Sequence, residues 1–149
     1  PGESTAYTID LAPGNYAYFS FSSAEGEEVP DFAKGMLGTM TVTEREETGA
    51  VPPQADVHLE MVDFSYVIDG DLRAGPQIVE VTNTGTEAHE SILFRLEDGA
   101  AVQDAVDFLM AEEFDSPPPF APHSTIGPMN PGMTAWYEAD LASGYYGLV

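Results

Sequence analysis

Three histidines, His58, His89 and His123, are the only imidazoles in this 149-residue sequence. They are its natural candidates for proton transfer near neutral pH and for nitrogen ligation of a metal. There is no cysteine, which removes thiolate ligands, a cysteine nucleophile and any disulfide framework, and leaves the redox compartment open. No Ser-His-Asp arrangement with a supporting motif, no phosphate loop and no His/Cys/Asp/Glu ligand cluster occurs along the chain. Catalytic residues are therefore not expected, and the chain does not read as an enzyme.

Each candidate group also has a plain structural reading. His89 reads as a partly buried, hydrogen-bonded histidine, His58 as a residue of a strand edge and His123 as a residue of a Pro-rich loop. Glu25, Glu27 and Glu28, with Glu44, Glu46 and Glu47, could gather Ca²⁺ through hard oxygens. No EF-hand spacing supports that, and they read first as solvated acidic faces. Tyr7, Tyr16, Tyr18, Trp136, Tyr137, Tyr145 and Tyr146 could form an aromatic platform for a sugar ligand. Strand aromatics of this kind more commonly pack in cores and cross-strand pairs.

The elements that must position these groups are mostly strands. Tyr7, Ile9 and Leu11 alternate, Pro13-Gly14 marks a turn, and Tyr16–Phe21 and Met36–Val42 are β-rich runs. Residues 45–57, with charge, Gly and Pro-Pro but no periodicity, read as a linker. His58–Ile68 alternates as one or two strands before the turn Asp69-Gly-Asp71. Gln77–Thr82 and Glu90–Leu96 flank Asn83-Thr-Gly85, which reads as a hairpin connection. Val102, Val106, Leu109 and Met110 have helical spacing. Phe114–Met129 reads as a Pro-rich loop, and another pair of strands follows it. The fold class expected is all-β, a sandwich with one short inserted helix.

Charge bounds the environment. The sequence has 26 acidic and 4 basic residues, a net charge of −22. Self-repulsion of that size destabilises a compact state unless salt screens it, and at about 1 M salt the Debye length is roughly 3 Å. The expectation is a protein adapted to high salt. Nucleic acid is not an expected partner, because four scattered cations build no basic patch. No apolar run reaches the length of a membrane span.

The sequence also repeats itself. Residues 131–149 lie over residues 1–19 without a gap, at an offset of 130, with eight of nineteen positions identical. Those eight are Pro1/Pro131, Gly2/Gly132, Tyr7/Tyr137, Asp10/Asp140, Leu11/Leu141, Ala12/Ala142, Gly14/Gly144 and Tyr16/Tyr146. Average composition would produce about one or two. A segment of one fold thus occurs twice.

These residues resemble the cupredoxin fold, specifically small plastocyanin-like domains. Gly75-Pro-Gln-Ile-Val-Glu-Val-Thr-Asn-Thr-Gly-Thr-Glu-Ala-His89-Glu is similar to the segment in which a strand ends in Asn and, six residues on, reaches the first copper-binding His. Leu141-Ala-Ser-Gly-Tyr-Tyr-Gly-Leu-Val149 resembles the strand that enters the copper-binding Cys. In the first copy of that segment Ser20 holds the Cys position. Pro30-Asp-Phe-Ala-Lys-Gly-Met36 keeps the family's spacing and Met, but Asp31 replaces the second His. A blue copper centre needs a Cys thiolate, two His and a weak axial Met. The resemblance therefore implies a degenerate copper site at His89, Ser20, Asp31 and Met36; no cofactor is expected, copper being disfavoured and calcium left possible.

The same resemblance implies a cupredoxin-like Greek-key β-sandwich, split or permuted along the chain. Residues 1–44 would be the C-terminal part of one unit, 45–57 a linker, and 58–149 the N-terminal two-thirds of another unit. Missing strands would come from the same chain or a neighbour, since unpaired sheet edges invite pairing. The expected function is a structural, extracellular or cell-surface module, part of a repeat protein, surface layer or filament. Its expected partners are other copies of itself or adjacent repeat units, joined by β-strand pairing. Two alternatives are a fragment of a blue-copper electron-transfer protein whose Cys, His and Met ligands lie beyond Val149, and a ligand-binding accessory domain.

Overall fold

The computed structural model describes residues 6–23, 26–27, 29–44, 51–111 and 117–149. It is mostly β, with one short α-helix. The strands are β1 (Tyr7–Ile9), β2 (Gly14–Phe19), β3 (Leu37–Val42), β4 (Val57–Val62), β5 (Ser65–Asp69), β6 (Gly75–Asn83), β7 (His89–Leu96), β8 (Phe120–Met129), β9 (Thr134–Leu141) and β10 (Tyr146–Leu148). Helix α1 (Val102–Leu109) lies between β7 and β8 in the chain. No helix among the described residues is long and apolar enough to cross a membrane.

The chain divides into two compact units, 1–10 with 52–149 and 11–51. The division differs from the segments 1–44, 45–57 and 58–149. Strand β1 goes with the larger unit because it pairs with β9. Of the expected linker, 45–50 lie outside the described residues. Asp56 is bound to β6: its N–H donates to Ile78 O and its carboxylate accepts from Ile78 N–H, both at 2.8 Å.

The larger unit has a five-stranded sheet in the order β1-β9-β6-β4-β5 and a three-stranded sheet in the order β10-β7-β8. All neighbours are antiparallel except β4 and β6. Alternation decides which residues lie between the sheets. Val57, Leu59 and Met61 of β4, Val79 and Val81 of β6, and Ala135, Tyr137, Ala139 and Leu141 of β9 form one buried cluster with Leu93, Ile126 and Met129 from the other sheet. This shared core makes the unit sandwich-like.

Both faces of β7 are covered. Leu93 enters the core between the sheets, while Phe94 and Leu96 pack with Ala105 and Phe120 beneath α1. The spacing of Val102, Val106, Leu109 and Met110 correctly marks a helix, but these side chains stay exposed. The packed positions are Ala105 and Phe108, because a small residue lets the helix approach the Phe94–Phe120 aromatic layer. Gly147 of β10 has a related role: a Cβ there would come within 2.5 Å of the Phe94 ring.

Two sequence expectations fail here. Asn83-Thr-Gly85 does not close a hairpin, since β6 and β7 belong to different sheets. The buried Asn83 side chain donates to Glu87 O (2.8 Å) and Met129 O (2.7 Å) and accepts from Gly85 N–H (2.9 Å). Those bonds substitute for ladder partners and carry the chain from one sheet to the other. Nor is 114–129 a loop throughout: Phe120–Met129 is β8. Pro122 and Pro128 are compatible with a strand there because β8 is the sheet's edge strand, where a missing N–H breaks no second ladder. The pairing skips His123 of β8 between Leu93↔Ser124 and Phe94↔Pro122, a register shift beside Pro122.

In the smaller unit β2 and β3 form a hairpin in register from Gly14↔Val42 to Phe19↔Leu37. A 3₁₀ turn, Asp31–Lys34, precedes β3. Phe19, Phe21 and Phe32 pack edge to face, with ring centroids 4.9–5.9 Å apart. No described residue of this unit is buried, and Tyr18, Phe19, Phe21, Met36 and Leu37 are all more than half exposed. A two-stranded hairpin without a covered apolar face is marginal in water.

Candidate functional site

Val62↔Ser65 closes a two-residue turn, Asp63-Phe64, between β4 and β5. Phe64 takes φ 63° and is 94% exposed, an uncommon state for a bulky residue and one that costs energy. Asp63 compensates from beside it. Its carboxylate accepts from Thr86 N–H (2.8 Å) and from the Thr86 hydroxyl (2.7 Å), and pairs with His89 Nε2 at 2.9 Å. Gly85 passes so close to Asp63 Oδ1 that a Cβ there would collide with it. The His89 contact, and then the Thr86 bonds, hold the Asp63 carboxyl well below the usual carboxylate range. The cluster ties the β4–β5 turn to the sheet-crossing segment. It leaves His89 half-buried at the start of β7, a hydrogen-bonded structural histidine.

The cavity beside it is lined by Met61, Val62, Phe64, Ser65, Tyr66, His89 and Glu90 and encloses about 140 Å³. Small-molecule sites typically run from about 300 Å³ upward. The cavity is thus small for an organic ligand.

The other degenerate copper-site positions fall in the smaller unit, where the fold brings them together. Ser20 N–H donates to Met36 O (3.1 Å), Met36 N–H to Asp31 O (3.0 Å) and Phe32 N–H to Ser20 O (3.0 Å). These are backbone bonds that fasten the open end of the hairpin. The Asp31 carboxylate faces Lys34 Nζ at 3.3 Å, and Lys34 also pairs with Glu27. Glu27 raises the Lys34 pKa; desolvation opposes it, and Asp31 adds a smaller upward push. Hydroxyl, carboxylate and thioether are the donors present, without thiolate or a second imidazole. That set does not fit a type 1 copper ion.

The two remaining histidines are exposed. His58 is not on a strand edge, because β4 lies between β5 and β6. It projects from the outer face, with Nδ1 3.0 Å from Glu80 Oε1, while Trp136 Nε1–H donates to Glu80 Oε2 at 2.8 Å. His123 lies in β8, its ring edge-on to Tyr146 at 6.0 Å. Glu25, Glu28, Glu46 and Glu47 lie outside the described residues. Among the described residues, no three His, Asp or Glu side chains gather around a possible metal position.

One bond of the repeated segment recurs in both copies. Tyr16 Oη–H donates to Ala12 O at 2.7 Å, and its counterpart Tyr146 Oη–H donates to Ala142 O at 3.0 Å. Asp63 and Thr86 were not legible as a pair, because they lie 23 positions apart. The only local hint was Asp-Phe interrupting an otherwise alternating run. Compared with protein-family models, with curated proteins and with solved structures, the chain matches none.

Proposed function

We propose that this chain is a structural, cupredoxin-like module without type 1 copper, working outside the cell or at its surface in high salt. It assembles with other copies or with adjacent repeat units through β-strand pairing. The Greek-key arrangement of the family and the split of its strands along this chain are part of the proposal.

The observation that carries the reading is the hairpin β2–β3. It exposes Tyr18, Phe19, Phe21, Met36 and Leu37, and its described residues include none that is buried. Its counterpart in the repeat, β10, has Tyr146 and Leu148 packed against a core. A strand that resembles a packed strand and has no core of its own is suited to being completed by another module. The −22 charge supports a high-salt setting, because association of such chains needs their repulsion screened. The donor set at Ser20, Asp31 and Met36 supports a role other than electron transfer.

Electron microscopy of the purified full chain across KCl concentration tests the reading. Ordered assemblies are expected at molar salt and monomers at low salt. Monodisperse monomers at every salt concentration would contradict it. Added Cu(II) is expected to produce no intense visible charge-transfer band.

A further inference from the structure

The contact between β1 and β9 has a symmetry of its own. The strands are antiparallel, with Tyr7↔Tyr137, Thr8↔Trp136 and Ile9↔Ala135 opposed. Tyr7 and Tyr137 are also counterparts in the repeat, 130 residues apart. Each copy of the repeated strand therefore meets the other copy about a local two-fold axis through the facing tyrosines, whose ring centroids are 6.2 Å apart. We propose that the β9 edge is a self-recognition edge. A second copy of this chain pairs there, β9 against β9, about a two-fold axis at Tyr137, and β1 is the internal occupant that the partner displaces.

Three features of the edge fit that partner. Continuing the same register places Trp136 opposite Glu138 of the other copy, Ala135 opposite its Ala139 and Thr134 opposite its Asp140. The acidic residues of this strongly acidic chain then face neutral ones, avoiding the like-charge pairs that destabilise a ladder. Next, β1 is short: it has three residues, all exposed, against eight in β9, and the Tyr7 hydroxyl reaches Thr125 O only at 3.4 Å. Finally, Glu138 N–H already donates outward, to Ala6 O at 3.3 Å, and the two-fold arrangement supplies an equivalent acceptor. An isologous joint closes as a dimer. It adds a defined partner to the assembly reading, and differs from the hairpin contact, which leads to open assemblies.

The test uses the full chain carrying Phe19→Ser and Phe21→Ser, so that hairpin-driven assembly is suppressed, in molar KCl. Sedimentation velocity is expected to show that Thr8→Pro, which breaks the β1 ladder, lowers the dimer dissociation constant at least tenfold. Adding Glu138→Pro, which removes a donor on the β1 side of β9 only, is expected to restore the monomer. Near-UV circular dichroism of Trp136 checks that each variant is folded. Should the double proline variant unfold, Thr134→Cys with Asp140→Cys in the Thr8→Pro chain replaces it. No native cysteine competes, and the two positions face each other only between copies, at a spacing compatible with a disulfide. A Thr8→Pro chain that stays monomeric, a Glu138→Pro chain that dimerises equally well, or cysteines that do not cross-link would overturn the proposal. Each result is read whether or not the unsubstituted chain forms large assemblies.

Discussion

One stretch of sequence appears twice in this chain, and its two copies differ in depth. Tyr137 and Leu141 are each 4% exposed, and Tyr146 and Leu148 pack against the same core. Tyr7 and Tyr18, the counterparts of Tyr137 and Leu148, are 43% and 60% exposed, and Leu11 and Tyr16, the counterparts of Leu141 and Tyr146, are half-buried. The local chemistry is the same, down to the tyrosine hydroxyl bonded to the carbonyl four residues earlier. What differs is the supply of neighbours. Residues 131–149 follow strands β4 to β8, which provide two sheets to close against. Among the described residues of 11–44, β2 pairs with β3 alone. Burial here follows from tertiary context, while the turn and strand geometry is already local.

Substitutions can break or sharpen that contrast. The largest expected effect is at Phe94, fully buried between the sheet and α1. Phe94→Ala should cost about 3–5 kcal/mol in a denaturant melt followed by Trp136 fluorescence. Asn83→Ala should cost about 1–3 kcal/mol, because the carbonyls of Glu87 and Met129 lose their donor. Gly147→Ala gives β10 the residue that β2 carries at Ala17. The added Cβ meets the Phe94 ring, and overpacking should cost about 1–3 kcal/mol. In the hairpin, Phe19→Ser with Phe21→Ser should change the stability of the larger unit by less than about 0.5 kcal/mol per site. It should nevertheless abolish assembly in microscopy at molar salt.

The acid limb of stability sharpens the contrast further. The folded Asp63 carboxyl is held below its ordinary value by His89 and Thr86. Its contribution is therefore fully present above the unfolded pKa of about 4 and lost as pH falls below it. Against Asp63→Asn, the unsubstituted protein should melt higher at neutral pH. The gap should shrink between about pH 4 and pH 2, which melting curves on the two proteins would show.

Much of the strand content was legible because alternation is a local signal: Val57-His-Leu-Glu-Met and Gln77-Ile-Val-Glu-Val show it plainly. The helix was legible by period but not by face, since Ala105 contributes little to a hydrophobic pattern yet is the helix's buried residue. The crossing after Asn83 resembled a hairpin because Asn-Thr-Gly suits either. Only the long-range bonds to Glu87 and Met129 decide between them. Pro122 and Pro128 suggested a loop because their cost depends on whether a strand is at an edge, which is a property of the sheet. Of the candidate site, the grouping of Ser20, Asp31 and Met36 was an expectation of the cupredoxin resemblance, whereas the Asp63–Thr86–His89 cluster depends on two distant turns meeting.

The central claim is that the hairpin lacks a core until another module supplies one. Hydrogen–deuterium exchange on the full chain in molar KCl, at increasing protein concentration, tests it directly. Amides of β2 and β3 should exchange nearly as fast as an unstructured chain when dilute and gain protection as concentration rises, while β4, β6 and β9 stay protected throughout. Protection of β2 and β3 equal to that of the sandwich at the lowest concentration, and unchanged above it, would contradict the account.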